Sequence, residues 1–449
     1  AIQTLSVELS PYDVRRAGFT GALLNAVTKS GTNQFRGSVY YEYTDQDSRA
    51  ENPVTKLKET FRERTYGFTL GGPILKDKLF FFLNYDDFER VSAPPQANFI
   101  PDATQLAAVV ARAKAAGGYE AGDLTANNVA FQKTTIAKLD WNVLPGQRLS
   151  FTYRKNEGEN TSFAQYTGST TTSLSNFWYT NPRNTKSYTG QLNSQWSSDL
   201  RTEATLSYTE FDGSPRNAGT PYPQVQIQGL SGRRLDTGAS ITNGAIFLGT
   251  ESSRQLNRIT TKEKQGKFSG EYSWGAHLIT AGIEDIETKY TNAFVQYTNG
   301  YYIFPSLAAW QAGTPISTYQ LARPFAGASI EDAIARWQYN AYGFFLQDSW
   351  RPSQNLTVLA GLRLDYPDVP QKPPVAAGFA AAHRQHRVHL AETQRRLDEI
   401  TAAFDVSLGA LEPLGLVATG AAGGSAARLA GHRSFAASWL LGDDLVAAL

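Results

Sequence analysis

Three groups of side chains in this 449-residue sequence have types and spacings that could do chemistry. His383, His386 and His389 in HRQHRVH repeat at i, i+3 and i+6. Imidazoles bind metals, but on a helix that spacing spreads them over more than one face, and no carboxylate triad lies nearby. Asp86, Asp87 and Glu89 suggest paired carboxylates for glycoside chemistry. They fall at the outer end of a strand, where charged groups meet water, and EDIE at 284–287 reads the same way. The stretches SNFWYTNPRN (175–184) and TNGYYIFP (298–305) set aromatic rings beside Asn in loops. Rigid exposed rings can stack on a sugar or peptide, so Trp178, Tyr179, Tyr301 and Tyr302 are the candidate ligand contacts, with ordinary loop packing as the alternative. There is no GxSxG elbow, P-loop, dinucleotide fingerprint or HExxH. No catalytic residue, metal site or cofactor is therefore assigned, and an enzyme is not expected.

Composition narrows the scaffold. Aromatics reach 12%, with 22 Tyr and 24 Phe, while charged residues stand at 18%. A net charge of +1 and the lack of a basic stripe with interleaved aromatics give no reason to expect nucleic acid. Cysteine is absent, which excludes disulfides, thiolate metal sites and a cysteine nucleophile. It also suits an oxidising compartment. Methionine is absent too, and the chain opens at Ala1 without a basic or apolar leader, which suggests a fragment or a processed chain. No apolar run approaches the roughly 20 residues that a spanning helix needs, so any membrane crossing must be made by strands.

The elements follow from period two. About eleven segments carry apolar residues on one face and polar residues on the other. In 134–143, Ala137, Leu139, Trp141 and Val143 oppose Lys138, Asp140 and Asn142. Tyr188, Leu192 and Trp196 oppose Thr189, Gln191, Asn193 and Gln195, and Ala204, Leu206 and Tyr208 oppose Glu203, Thr205, Ser207 and Thr209. Phe268, Tyr272 and Trp274 alternate with Lys267, Ser269, Glu271 and Ser273, and Leu356 to Leu364 alternates likewise. Around 339–349 the adjacent Phe344 and Phe345 leave the faces ambiguous.

Alternation alone fits any half-buried sheet. The connections are more selective. Short turns at 75–78, 144–146, 197–199, Gly275 and 351–354 alternate with long polar loops at about 45–63, 92–130, 158–183, 213–260 and 291–336. Tight turns at one rim and long loops at the other are the pattern of an outer-membrane barrel. Trp141, Trp196, Trp274 and Trp350 each lie close to a short turn, where an interfacial girdle belongs. Core tryptophans of a soluble sheet are the competing reading.

Two stretches carry a resemblance. LSPYDVRRAGFTGALLNAVTKSGTNQFRGSVYYEY (9–43) and YGFTLGGPILKDKLFFFLNYDDFER (66–90) resemble the plug-to-barrel junction and first hairpin of TonB-dependent outer-membrane transporters, nearest to the Oar-like branch. FFLQDSWRPSQNLTVLAGLRLDY (344–366) is similar to a hairpin that recurs in these barrels. The resemblance implies an all-β, antiparallel transmembrane barrel, here about 11 of an expected 22 strands. Residues 1–33 would close the plug domain and 34–374 form the first half of the barrel. Phe35, Val39, Tyr41 and Tyr43 would face lipid, with Arg36, Ser38, Tyr40 and Glu42 toward the lumen. Asn25, Lys29, Gly31 and Asn33 would form the plug-to-barrel junction in a structural role, Gly31 permitting a tight exit turn. The implied partners are outer-membrane lipid, the TonB complex of a Gram-negative bacterium acting through segments not in this chain, and an extracellular substrate the sequence does not identify. On this reading the 449 residues do not transport alone. The alternatives are an outer-membrane adhesin or binding protein without transport, and a soluble carbohydrate-binding β-protein.

After KPP at 372–374 the texture changes. Every Tyr and Asn precedes that point, four of the five His follow it, and AETQRRLDEITAAF (391–404) has a helical period. Residues 375–449 read as an aberrant, helix-prone tail: a frameshift is favoured over a fusion or a genuine appendage.

Overall fold

The computed structural model describes residues 2–9, 13–17, 22–51, 58–314, 318–324 and 327–371. The tail from 372 onward, with His383, His386 and His389, lies outside the described residues. Eleven long strands form one antiparallel meander in which every sequence neighbour is a sheet neighbour. They are β1 (Arg36–Asp45), β2 (Phe61–Leu75), β3 (Leu79–Ser92), β4 (Asn128–Leu144), β5 (Gln147–Ser162), β6 (Asn184–Gln195), β7 (Leu200–Asp212), β8 (Leu256–Trp274), β9 (His277–Val295), β10 (Ala335–Ser353) and β11 (Leu356–Asp368). Among the described residues the outer edges of β1 and β11 pair with no further strand. No described helix is long and apolar enough to cross a membrane.

The five short connections fall where the sequence put them. Asp77, at φ 63°, turns β2 into β3, and Gly146, at φ 74°, turns β4 into β5. These left-handed positions let two-to-four-residue links match the twist of the paired strands. All five sit at one rim.

The faces of the wall are inverted relative to a soluble protein. Val39 is 86% exposed and Leu206 71%, and their cross-strand neighbours are apolar too. Val39 faces Phe68, Phe68 faces Tyr85, Ile283 faces Phe344 and Phe344 faces Leu364. The opposite face buries Asn84, Asp140, Glu271, Thr280 and Gln347. Phe344 and Phe345 divide between the two, as successive strand residues must. Phe344 stands exposed among apolar side chains, while Phe345 is buried beneath the cations of Lys267 and Arg363, each 5.6 Å from its ring centroid.

Aromatic rings mark two levels on the apolar face. Trp141, Trp196, Trp274 and Trp350 are all exposed near the turn rim. Tyr153, Tyr188 and Tyr208 form a ladder on the loop side, with centroids 5.1 and 6.4 Å apart. Trp196 and Tyr188 are eight residues apart, as are Trp350 and Tyr342. At about 3.3 Å per residue and a strand tilt of roughly 40°, the levels are about 20 Å apart, near the height of a barrel's apolar band.

The long loops differ from the expectation of plain polar loops. They fold together around the one large hydrophobic core among the described residues. A mixed sheet joins Thr318–Gln320, Tyr301–Phe304, Gln224–Arg234, Ser240–Leu248 and Thr171–Ser173, with Phe99–Pro101 beside Gln224–Arg234. Helices α1 (Ala103–Gly117) and α2 (Leu307–Ala312) pack with it. Asp102 caps α1 by accepting from the N–H groups of Thr104 and Gln105, and Gly118 ends it at φ 67°. Val109 and Ala113 of α1 and Trp310 of α2 enter the core beside Phe99, Leu174, Ile227, Leu230, Ile246 and Leu248.

Candidate functional site on the inner face

Residues 13–16 lie against the polar face of the wall, held by hydrogen bonds and ion pairs. The Val14 N–H donates to Gln347 Oε1 at 3.1 Å, and Arg363 Nη1 donates to the Val14 carbonyl at 3.1 Å. Lys267 Nζ donates to the Arg15 carbonyl at 2.8 Å. Arg15 Nη1 reaches Glu271 Oε1 at 2.6 Å, and Arg201 holds the other oxygen of Glu271. Three strands, β8, β10 and β11, therefore grip one short segment, and Arg201 of β7 braces the Glu271 carboxylate from the side. Burial pushes the Asp13 carboxyl up, but Arg15, bonded to it through side chain and backbone, more than offsets this and leaves Asp13 below its ordinary range. The Asp13 carboxylate fixes the Arg15 guanidinium, which then presents its free edge to Glu271.

A second contact lies on the first strands. Ser30 Oγ accepts from Lys138 Nζ at 2.9 Å. Lys138 stands 3.9 Å from Asp140, whose buried carboxylate also accepts from Ser150 at 2.6 Å and Arg148 at 3.0 Å. Gly31 passes so close to the wall that a Cβ there would fall 2.3 Å from the Phe81 carbonyl oxygen. Asn33 and Asp77 bond reciprocally, the Asn33 amide donating to the carboxylate and the Asp77 N–H donating back at 2.8 Å. The two motifs TKSGTN and GGPILKD, whose Asn33 and Asp77 are 44 residues apart in the chain, thus meet in space. Asn25 is in the hairpin of Ile2–Leu9 with Ala22–Thr28, opposite Ser6, and Lys29 is exposed.

Between these contacts a cavity of about 1020 Å³ opens near the turn rim, with Arg15, Arg148, Arg201, Glu203 and Glu271 among its lining. Such a surface can hold water and polar solutes but offers no nucleophile with a base. Among the described residues no group of three or more His, Asp or Glu could hold a metal ion.

The structure does not bring the four loop aromatics together. Trp178 is only 3% exposed, which corrects its reading as an exposed ring. Its Nε1 donates to Ser173 Oγ at 3.0 Å, and Phe163 and Tyr166 meet it edge-on. An indole finds a better environment there than in water. Tyr179 lies under the Arg254 guanidinium, 4.7 Å from its centroid. Tyr301 stacks on Tyr297 and donates to Gln226 Oε1 at 2.6 Å, while Tyr302 packs on the loop core and against Tyr319.

The acidic runs are corrected also. Asp86 and Asp87 point to opposite faces and do not simply meet water. Asp86 accepts from Tyr40 and Asn84 on the inner face. Asp87, 4% exposed, accepts from Tyr66 at 3.0 Å and Tyr85 at 2.9 Å. Glu284 of EDIE is likewise half-buried, in an ion pair with Arg363 at 2.7 Å. Sequence reasoning set Glu271 and Arg363 on the polar face, while Arg15 and Gln347 were missed, and only the polar identity of their positions hinted at them.

A family profile described as Outer membrane beta barrel domain matches residues 27–128 and 110–393. The TonB-dependent transporter Oar of Myxococcus xanthus is 37% identical over 92 residues, which is 19% of this chain and 9% of that protein. The outer membrane transporter YddB from Escherichia coli superposes with a TM-score of 0.53 at 14% identity, over 81% of this chain and 43% of that one. The siderophore receptor PirA from Acinetobacter baumannii gives 0.45 at 17% identity, over 81% and 43%. The chain spans less than half the length of these relatives.

Proposed function

The chain belongs to the outer membrane beta barrel domain family of Gram-negative outer membranes, and from that premise we propose that it supplies the gated wall of a TonB-dependent uptake receptor. Residues 1–33 are the closing part of the plug and 34–374 the first half of the barrel, with lipid outside. Asn25, Lys29, Gly31 and Asn33 form the junction that anchors the plug to the first hairpin. The folded loops capture an extracellular substrate, for which the half-buried Tyr179, Tyr301 and Tyr302 are the contacts. Energy from the TonB complex rearranges the plug. The relatives are transporters, and no catalytic step is assigned.

The observation that carries this reading is the chemistry of the 13–16 contact. It is made of polar bonds that water can replace, each contributing about 0.5–1.5 kcal/mol, or up to about 3 where charge assists. A segment held by a handful of such bonds can be seated firmly yet released by applied work, as an apolar core could not.

The test uses the intact gene product. An ideal Cβ at Gly361 falls 2.6 Å from Val14 Cγ1, so Val14→Cys with Gly361→Cys should form a disulfide in a chain that has no other cysteine. Metabolite accumulation is compared in cells with and without TonB, and with the cross-link oxidised or reduced. Accumulation that needs TonB, stops on oxidation and returns on reduction supports the receptor. Surface retention of ligand that ignores both TonB and the cross-link would favour the adhesin.

A further inference from the structure

The apolar face of the wall carries one pair of side chains that breaks its rule. On β8 to β11 the outward positions below Tyr342 and Tyr366 are apolar or aromatic, with Phe268, Ile279, Ile283, Leu346 and Leu362 among them. His277 and Asp348 are the two exceptions. His277 is paired with Trp274 on one side and Trp350 on the other, and Asp348 lies two residues along β10 from Trp350, on the same face and nearer the middle of the apolar band. Charge at that depth costs free energy in hydrocarbon, so an ionisable pair there is read first as a binding site.

The pair is tightly built yet incomplete. The His277 ring lies parallel to that of Trp350 with centroids 5.8 Å apart, and 6.0 Å from that of Trp274. Its Nδ1 is 2.6 Å from Asp348 Oδ2. Asp348 Oδ1 has no hydrogen-bond partner, and the residues directly across from Asp348 on the two neighbouring strands, Ile279 and Ala360, have no side-chain donor to give it. A carboxylate offers about four acceptor positions, and His277 fills one of them. Both side chains are more than a third exposed, on the face that meets lipid.

We propose that His277, Asp348 and the two tryptophans seat the headgroup of a phospholipid with a primary ammonium, in the periplasmic leaflet. The short-turn rim of such a barrel is periplasmic, and tryptophans settle at the headgroup boundary, which together fix the leaflet and the depth. The chemistry follows from what the pair lacks. An ammonium brings three N–H donors to a carboxylate short of donors, and the exposed Trp274 and Trp350 rings attract the same cation. With Nδ1 held by Asp348, Nε2 of a protonated His277 is free to donate to the phosphate that adjoins the ammonium. A headgroup of phosphate and glycerol has no cation for Asp348 and sets its own anion against the carboxylate. A trimethylated ammonium keeps the charge but has no N–H to give. Tryptophans alone would not separate the primary from the trimethylated amine, so the acid is the discriminating group.

The test is native mass spectrometry of the intact gene product, purified from outer membranes in mild detergent and titrated with phosphatidylethanolamine, phosphatidylcholine and phosphatidylglycerol. Phosphatidylethanolamine should bind tightest, with each of the others weaker by about tenfold, the usual worth of one charge-assisted hydrogen bond. Asp348→Asn should erase that preference. Asp285→Asn, which changes an outward carboxylate opposite Tyr342 at the far interface, should leave it intact. Unchanged heat-modifiable mobility on gels establishes that each variant is folded. Phosphatidylcholine or phosphatidylglycerol binding as tightly as phosphatidylethanolamine, a folded Asp348→Asn protein with its preference undiminished, or loss of the preference in Asp285→Asn would each overturn the proposal. If the Asp348 variant does not fold, the wild-type order of the three lipids decides alone. The proposal needs the wall in the membrane and nothing of uptake, so its outcome is separate from that of the receptor reading.

Discussion

The wall and the loop module are built from one chain by opposite rules. In the wall Leu206, Val39 and Leu362 are exposed while Asp140 and Asn84 are buried. In the loop module Phe99, Ile227, Ile246 and Leu248 are fully buried, as in any water-soluble domain. The difference teaches that hydrophobicity here is sorted by the solvent each region meets. The wall sheds apolar side chains toward hydrocarbon, and the loops, surrounded by water, must bury their own.

The largest expected effect tests the loop side of that contrast. The Phe99 ring fills space left by Gly232 and Gly244, where a Cβ would come within 2.7 and 2.1 Å of it. Phe99→Ala should therefore cost about 3–5 kcal/mol and open a cavity in the module. We expect the loops to become protease-sensitive while the heat-modifiable band of the wall persists. Simultaneous loss of both would mean the regions are one cooperative unit.

On the wall, Leu206→Arg should cost about 2–4 kcal/mol in lipid refolding titrations, because it puts a charge among acyl chains. Thr205→Arg, one residue away on the inner face, should cost about 1 kcal/mol or less. Equal costs would erase the distinction between the faces. Smaller again is Glu271→Gln, which leaves Arg15 and Arg201 without their shared carboxylate. Both guanidinium groups are more than a third exposed, so solvent screening limits the loss to about 1 kcal/mol. Limited proteolysis should then cut near residues 13–16 sooner than in the wild type.

The smallest effect is a pH step confined to the module. Burial pushes the Tyr119 hydroxyl up to about 12. An ordinary tyrosine ionises near pH 10, so this contribution is whole below about 10 and is lost as pH rises toward about 12. Tyr119→Phe should abolish that alkaline step in protease protection of the loops, at the cost near neutrality of a 3.4 Å bond to the Asn176 carbonyl and a hydrogen bond with the Gly249 backbone.

How much of this could be read in the sequence follows from the same contrast. The eleven strands and their alternating connections were legible because each wall strand pairs with its sequence neighbour and alternates strictly. Phe344 and Phe345 were not, since an inward ring beneath two cations looks identical in sequence to an outward one. The module was illegible for a physical reason. Some of its strands pair across long separations, Gln224–Ile227 running parallel to Tyr301–Phe304, and its local hairpin of Gln224–Arg234 with Ser240–Leu248 is broken by register shifts. Helix α1 was the exception, since Asp102 before an Ala-rich run and Gly118 after it are cap signals that loop length obscured. The 13–16 contact was hidden similarly, because Val14 and Gln347 are 333 residues apart.

The central claim, that the apolar face meets lipid and the polar face meets water, is tested most directly by single cysteines in this cysteine-free chain. Leu206→Cys and Ser207→Cys, labelled with the same environment-sensitive maleimide after reconstitution into brominated-lipid vesicles, report the two faces at one depth. The account expects the Leu206 label to be blue-shifted and strongly quenched by bromine, and the Ser207 label to be red-shifted and unquenched. Labels that behave alike, or a water-like signal at Leu206, would contradict it.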